Sequence, residues 1–114
     1  MSNTVVHRNK AREAIMSMHQ VLVVRVYVLE SEHLLKTILN YLKNEAKIRG
    51  VSVFRAISGF GGSGEHQTTL VDLSLDLPLV IEFFDVKTKI EPAIAHLATM
   101  VKHEHLIYWE ARVH

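Results

Sequence analysis

The chain has 114 residues, 48% of them apolar and 22% charged, with a formal net charge of +1. That length allows one domain able to bury a core without covalent staples, and the near-neutral charge argues against a nucleic-acid binder held by a strong basic field. Cysteine is absent, which removes disulfides, thiolate metal sites and cysteine nucleophiles.

Residues 1–19 carry Arg8, Lys10 and Arg12 against Glu13 alone. They read as a solvated extension, either disordered or helical over 11–18, where Ala11, Ala14, Ile15 and Met18 share helical spacing. The opening residues lack the apolar run of a secretory signal, and no later stretch approaches the roughly 20 apolar residues of a membrane span. The expected compartment is the cytoplasm. The folded body, residues 20–114, opens with "VLVVRVYV", whose β-branched content reads as a strand.

Ser31 is placed to cap a helix, with Glu32 favouring its dipole. Leu34, Leu35, Ile38, Leu39, Leu42 and Ala46 form its apolar stripe, and Arg49-Gly50 its stop. "VSVFRAIS" is a second strand. Beyond a glycine cluster, "HQTTLVDLSLDL" alternates with period two and reads as another. Pro78 marks a break before "LVIEFFD". A second helix is expected over 88–101, with Thr88-x-x-Glu91 as a capping box and Pro92 disturbing its first turn. "HLIYWEARV" closes the chain as a strand. The order is that of an α+β, ferredoxin-like βαββαβ fold with an extra strand segment or hairpin.

Two helices cover one face of such a sheet. Leu22, Val24, Val26 and Val28 suit that covered face. The opposite faces mix apolar groups with charge: Val21, Val23, Arg25 and Tyr27; Val80, Glu82 and Phe84; Leu106, Tyr108, Glu110 and Arg112. Monomers seldom leave so contiguous an apolar patch exposed. A homo-oligomer burying it is expected, with Arg25, Tyr27, Glu82, Tyr108, Glu110 and Arg112 at the subunit interface.

"SGFGGSGEH" places Gly59, Gly61 and Gly64 in the spacing G-x-G-x-x-G. A dinucleotide fingerprint needs a helix to begin within the glycines, whereas a strand pattern follows here. A phosphate-binding P-loop needs Lys-[Ser/Thr] after its last glycine, where this chain has Glu65-His66. Two readings stay open: a glycine-rich connection whose N–H groups form an anion-binding nest, with Phe60 as a stacking surface, and a plain connection without ligand.

Eight histidines are many for this length. His103-x-His105 around Glu104, with His96 as a further candidate, has metal-ligand character, although solvated surface histidines explain the same letters. Ser58 and Ser63 near His66 lack a nucleophile elbow. Glu82 and Glu110 across strands suit ion pairs with Arg25 and Arg112 better than acid–base work. No catalytic residue is assigned, and the chain is expected not to be an enzyme.

The runs "VRVYVLESE", "GVSVFRAISGFGGSGEHQT" and "LSLDLPLVIEFFD", with the closing "ARV", resemble the PII-like proteins of the family labelled domain of unknown function 190, the UPF0166 type. The resemblance covers Val23 to Val113. It implies a PII-like fold, a homotrimer, and an adenine nucleotide bound between subunits at the base of a loop that contacts a protein partner such as a membrane transporter or an enzyme. Carried onto this chain, the ligand contacts are Gly59, Phe60, Gly61, Gly62 and Ser63, with Lys102 the cation nearest in sequence to the PII phosphate loop. That loop's glycine is missing from "KHEH", and the tyrosine modified in some PII proteins has no counterpart in "GFGGSGEHQT". Uridylylation is therefore not expected. The alternative functions are a trimer resembling the CutA family, which shares this architecture, holding a divalent metal through His103 and His105, or an interaction module without ligand.

Overall fold

The computed structural model describes residues 3–59 and 78–114. The elements are α1 (Asn3–Ser17), β1 (His19–Leu29), a 3₁₀ turn (Glu30–Glu32), α2 (Leu35–Asn44), β2 (Val51–Arg55), β3 (Pro78–Asp85), α3 (Lys87–Leu97) and β4 (Leu106–Val113). The strands form one sheet in the order β2-β3-β1-β4, every neighbouring pair antiparallel. Helices α2 and α3 thus each link two parallel strands that have a third strand between them. This is the split βαβ arrangement of a ferredoxin-like fold. The strand expected over 66–77 lies outside the described residues.

Alternation along β1 decides where the core lies. Leu22, Val24, Val26 and Val28 point to one side and are buried, and Leu79, Ile81 and Phe83 join them from β3. Ile38 and Leu42 of α2 and Ile90, Ala93 and Leu97 of α3 complete the same cluster. The apolar stripes of both helices meet the side of the sheet that the β1 pattern designates.

Helix ends depart from expectation because groups other than the expected side chains take the capping roles. Ser31 falls inside the 3₁₀ turn rather than capping a helix. Glu32 Oε1 accepts the Leu29 N–H at 2.8 Å, and His33, left-handed at φ 55°, separates that turn from α2. At the far end Lys47, also at φ 55°, makes the turn expected of Gly50, whose own backbone is not left-handed. The Val86 carbonyl accepts the N–H groups of Lys89 and Ile90. Accordingly α3 starts at Lys87 with no side-chain cap, and Thr88 is already inside it.

Asp85 is the one buried charged residue of the described core. Its Oδ1 accepts the Val86 N–H at 2.8 Å, while Arg49 and Lys89 approach at 3.6 and 3.8 Å. Pairing and hydrogen bonding make that buried charge tolerable.

The helices are also joined by a stack of Tyr41 on His96, with ring centroids 3.9 Å apart and planes 18° from parallel. Burial, and secondarily the charge of Glu45, raises the Tyr41 pKa above its ordinary value. Because the folded-state pKa lies above the unfolded one, the native state resists losing this proton. Stability is therefore full below about pH 10 and falls as pH rises through the folded pKa. Urea titrations across that range should show wild type losing stability relative to Tyr41→Phe. Parallel curves would mean that Tyr41 ionises as freely as in the unfolded chain.

Candidate functional site

The side of the sheet away from the helices is the largest unexplained feature. Register places Val21, Val23, Arg25 and Tyr27 of β1 beside Val80, Glu82 and Phe84 of β3 and beside Ile107, Trp109, Ala111 and Val113 of β4. Ser52 and Phe54 of β2 continue the surface. Phe54, Phe84, Ile107 and Trp109 are exposed there.

At its centre Arg25 Nε donates to Glu82 Oε1 at 2.6 Å, as their direct cross-strand pairing dictates. The Arg25 guanidinium also lies over the Trp109 ring, 5.4 Å from its centroid, within cation–π range. The Glu82 bond first, then Tyr27, raises the Arg25 pKa. This face is therefore an apolar surface with one internally paired charge, suited to burial against a similar surface.

The six residues expected at a subunit interface are divided by this register. Arg25, Tyr27 and Glu82 share the open face. Tyr108, Glu110 and Arg112 project from the helix-covered side of β4, opposite Val24, Leu22 and Gln20 respectively. All three are exposed on that outer strand. Glu82 and Glu110 consequently do not face each other, and no ion pair joins Glu110 or Arg112 to the Arg25–Glu82 pair across one surface. In β4 the partners of the open face are the odd-numbered residues, Trp109 above all, which sequence reading grouped apart from the charges. The alternation shows two faces; only pairing with β1 shows which is which.

The candidate ligand contacts gather at one end of the sheet as far as they are described. The Ala56 N–H donates to the Pro78 carbonyl at 3.0 Å, closing the stem from which the connection leaves. Ile57 is 96% exposed, and a side chain at Gly59 would meet open space. Phe60, Gly61, Gly62 and Ser63 lie outside the described residues.

Lys102 opens a tight turn in which the His105 N–H returns to the Lys102 carbonyl at 3.1 Å, with Glu104 left-handed at φ 65°. The His105 carbonyl then accepts the Tyr27 N–H at 2.9 Å. Since Leu29 pairs with Pro78, this turn and the stem flank the same end of β1. Arg55 adds a guanidinium there, paired with Glu30.

His103 is exposed and His105 half-buried in that turn, whereas His96 is committed to its stack on Tyr41. Among the described residues no group of three histidine, aspartate or glutamate side chains comes together to hold a metal. No helix among them is long and apolar enough to cross a membrane.

Comparison with known proteins agrees with this architecture. The DUF190 family model, described as "Uncharacterized ACR", matches residues 16–113. UPF0166 protein MJ1524 of Methanocaldococcus jannaschii is 33% identical over 78 residues, covering 68% of this chain and 71% of that protein. Among solved structures, CPII from Thiomonas intermedia K12, bound to ADP and bicarbonate, is similar with a TM-score of 0.60. That likeness spans 85% of this chain and 91% of the other at 13% identity, and it shows a shared PII-like fold.

Proposed function

The chain belongs to the DUF190 family, and from that premise we propose that it is a cytoplasmic, PII-like regulator that works by binding rather than catalysis. Three copies pack with their open sheet faces inward. An adenine nucleotide occupies the cleft between subunits, at the end of β1 flanked by Lys102 and by the connection that begins at Gly59. Ligand contact with Gly59 to Ser63 changes how that connection meets a protein partner, a membrane transporter or an enzyme. A switch of this kind requires the ligand to favour one arrangement over another, which N–H groups along a glycine-rich stretch are chemically suited to do.

The observation that carries the reading is the uncovered apolar face of a PII-like sheet, centred on Arg25, Glu82 and Trp109. The nucleotide is carried over from fold likeness to a protein solved with ADP.

Calorimetric titration with ATP, ADP and AMP tests the ligand. Binding of at least one is expected, and Lys102→Ala should weaken it about tenfold through loss of a charge-assisted phosphate contact. No heat with any of the three at millimolar concentration removes the nucleotide from the proposal. Native mass spectrometry reads the subunit count in the same sample.

A further inference from the structure

The end of the sheet opposite the candidate ligand site is cationic, and the topology places α1 there. His19 opens β1 one residue after α1, and Leu22 pairs with Asp85. Around Asp85 the segment between α2 and β2 and the first turn of α3 converge: Arg49 and Lys89 reach its carboxylate, and Lys89 Nζ also donates to the Lys47 carbonyl at 3.2 Å. Lys43, Lys47 and Lys87 stand exposed beside them, and Arg112 at the end of β4 pairs in register with Gln20. Glu45, Glu91 and Glu110 are the exposed acids of this end. From here α1 departs with Arg8, Lys10 and Arg12 against Glu13. From Val5 to Ser17 all of it is exposed except Ala14.

We propose that this end docks on an anionic lipid surface, with α1 lying against the headgroups and the cations of the α2–α3 end adding to the attraction. The charges are spread around α1 and over several elements instead of converging on one point. Standing among them, Val5, Val6, Ile15 and Met16 are 41, 44, 55 and 78% exposed. Diffuse positive charge is what an anionic headgroup layer attracts; because the apolar side chains form no single stripe along α1, the attraction is electrostatic and not insertion. Docking here leaves the Lys102 end facing away from the membrane, so that of the two partner classes proposed for the connection this orientation suits an enzyme and not a membrane transporter. The inference does not rest on nucleotide binding or on the subunit count.

Co-sedimentation of the whole protein with vesicles tests it. Vesicles of phosphatidylcholine mixed with phosphatidylglycerol should pellet the protein at low salt, and phosphatidylcholine alone should not. Raising the salt to about 0.5 M should release it. Arg8→Gln/Lys10→Gln/Arg12→Gln should lower the partition coefficient about tenfold or more. Lys36→Gln, in the first turn of α2 at the other end, should leave it within about twofold. Circular dichroism checks that each variant is folded. Failure to pellet with anionic vesicles, equal pelleting with neutral ones, or an unaffected triple variant overturns the proposal. Tighter binding to soluble polyglutamate than to vesicles also overturns it, by assigning the surface to an acidic protein.

Discussion

Phe83→Ala is expected to lower the unfolding free energy by about 3–5 kcal/mol, the largest single loss available in this fold. Phe83 is 1% exposed and sits on β3, paired with Val24 on one side and Val51 on the other. Truncating its ring empties volume between the sheet and both helices, and the β-branched neighbours Val24, Ile81 and Ile38 have few rotamers with which to refill it. Urea denaturation at one fixed protein concentration measures the change, since the proposed assembly would make stability concentration-dependent. A loss under about 1 kcal/mol would mean that the core relaxes around the gap and is not packed as described.

Phe84→Asp, one residue further on, should produce the opposite phenotype: chains that fold but do not assemble. Phe84 projects from the other face, 45% exposed beside Val23, and contributes nothing to the helix-side core. Aspartate is a poor strand former, a penalty of about 1 kcal/mol for the single chain. In an assembly with the open faces together, however, each copy would bury an unpaired carboxylate near its counterparts, at a cost of several kcal/mol per copy. For the proposed trimer, analytical ultracentrifugation should show the mass falling from three chains to one while the far-ultraviolet circular dichroism is kept. Trimers persisting in Phe84→Asp at micromolar concentration would place the subunit contact elsewhere.

The contrast between these adjacent phenylalanines was legible in the sequence, because period-two alternation separates them whatever the pairing. The helical stripes were equally plain: Ile38 and Leu42, and Ile90 and Leu97, lie buried where spacing put them. Alternation alone could not tell which face of β4 continues which face of β1. That depends on the register His19 with Val113, set across the 76 residues that separate β1 from β4. Charge suggested grouping Glu110 and Arg112 with Arg25 and Glu82, and the pairing separates them.

Helix ends differ from the sequence expectation for another reason. Ser31, Gly50 and Thr88 have the right chemistry for caps, but the Glu32 carboxylate, Lys47 and the Val86 carbonyl take those positions through equally local contacts, which residue type alone does not rank. The Asp85 cluster went unread because Arg49 and Asp85 meet only after β2 and β3 pair. At the candidate ligand site, Lys102 and Gly59, grouped in the sequence only through the family resemblance, lie toward the same end of the sheet, whereas the four contacts from Phe60 to Ser63 lie beyond the described residues.

The position of β1 between β3 and β4 bears on how the protein is made. Its first residue partners one of the last, so no amount of early structure can finish the sheet. At ribosomal speeds the nascent chain would carry a half-satisfied central strand for roughly five to twenty seconds. During that interval the valines of β1 are greasy on one edge of an incomplete core, and such long-range pairing is intrinsically slow. Chaperone demand during synthesis, rather than stability afterwards, is where this topology exacts its toll.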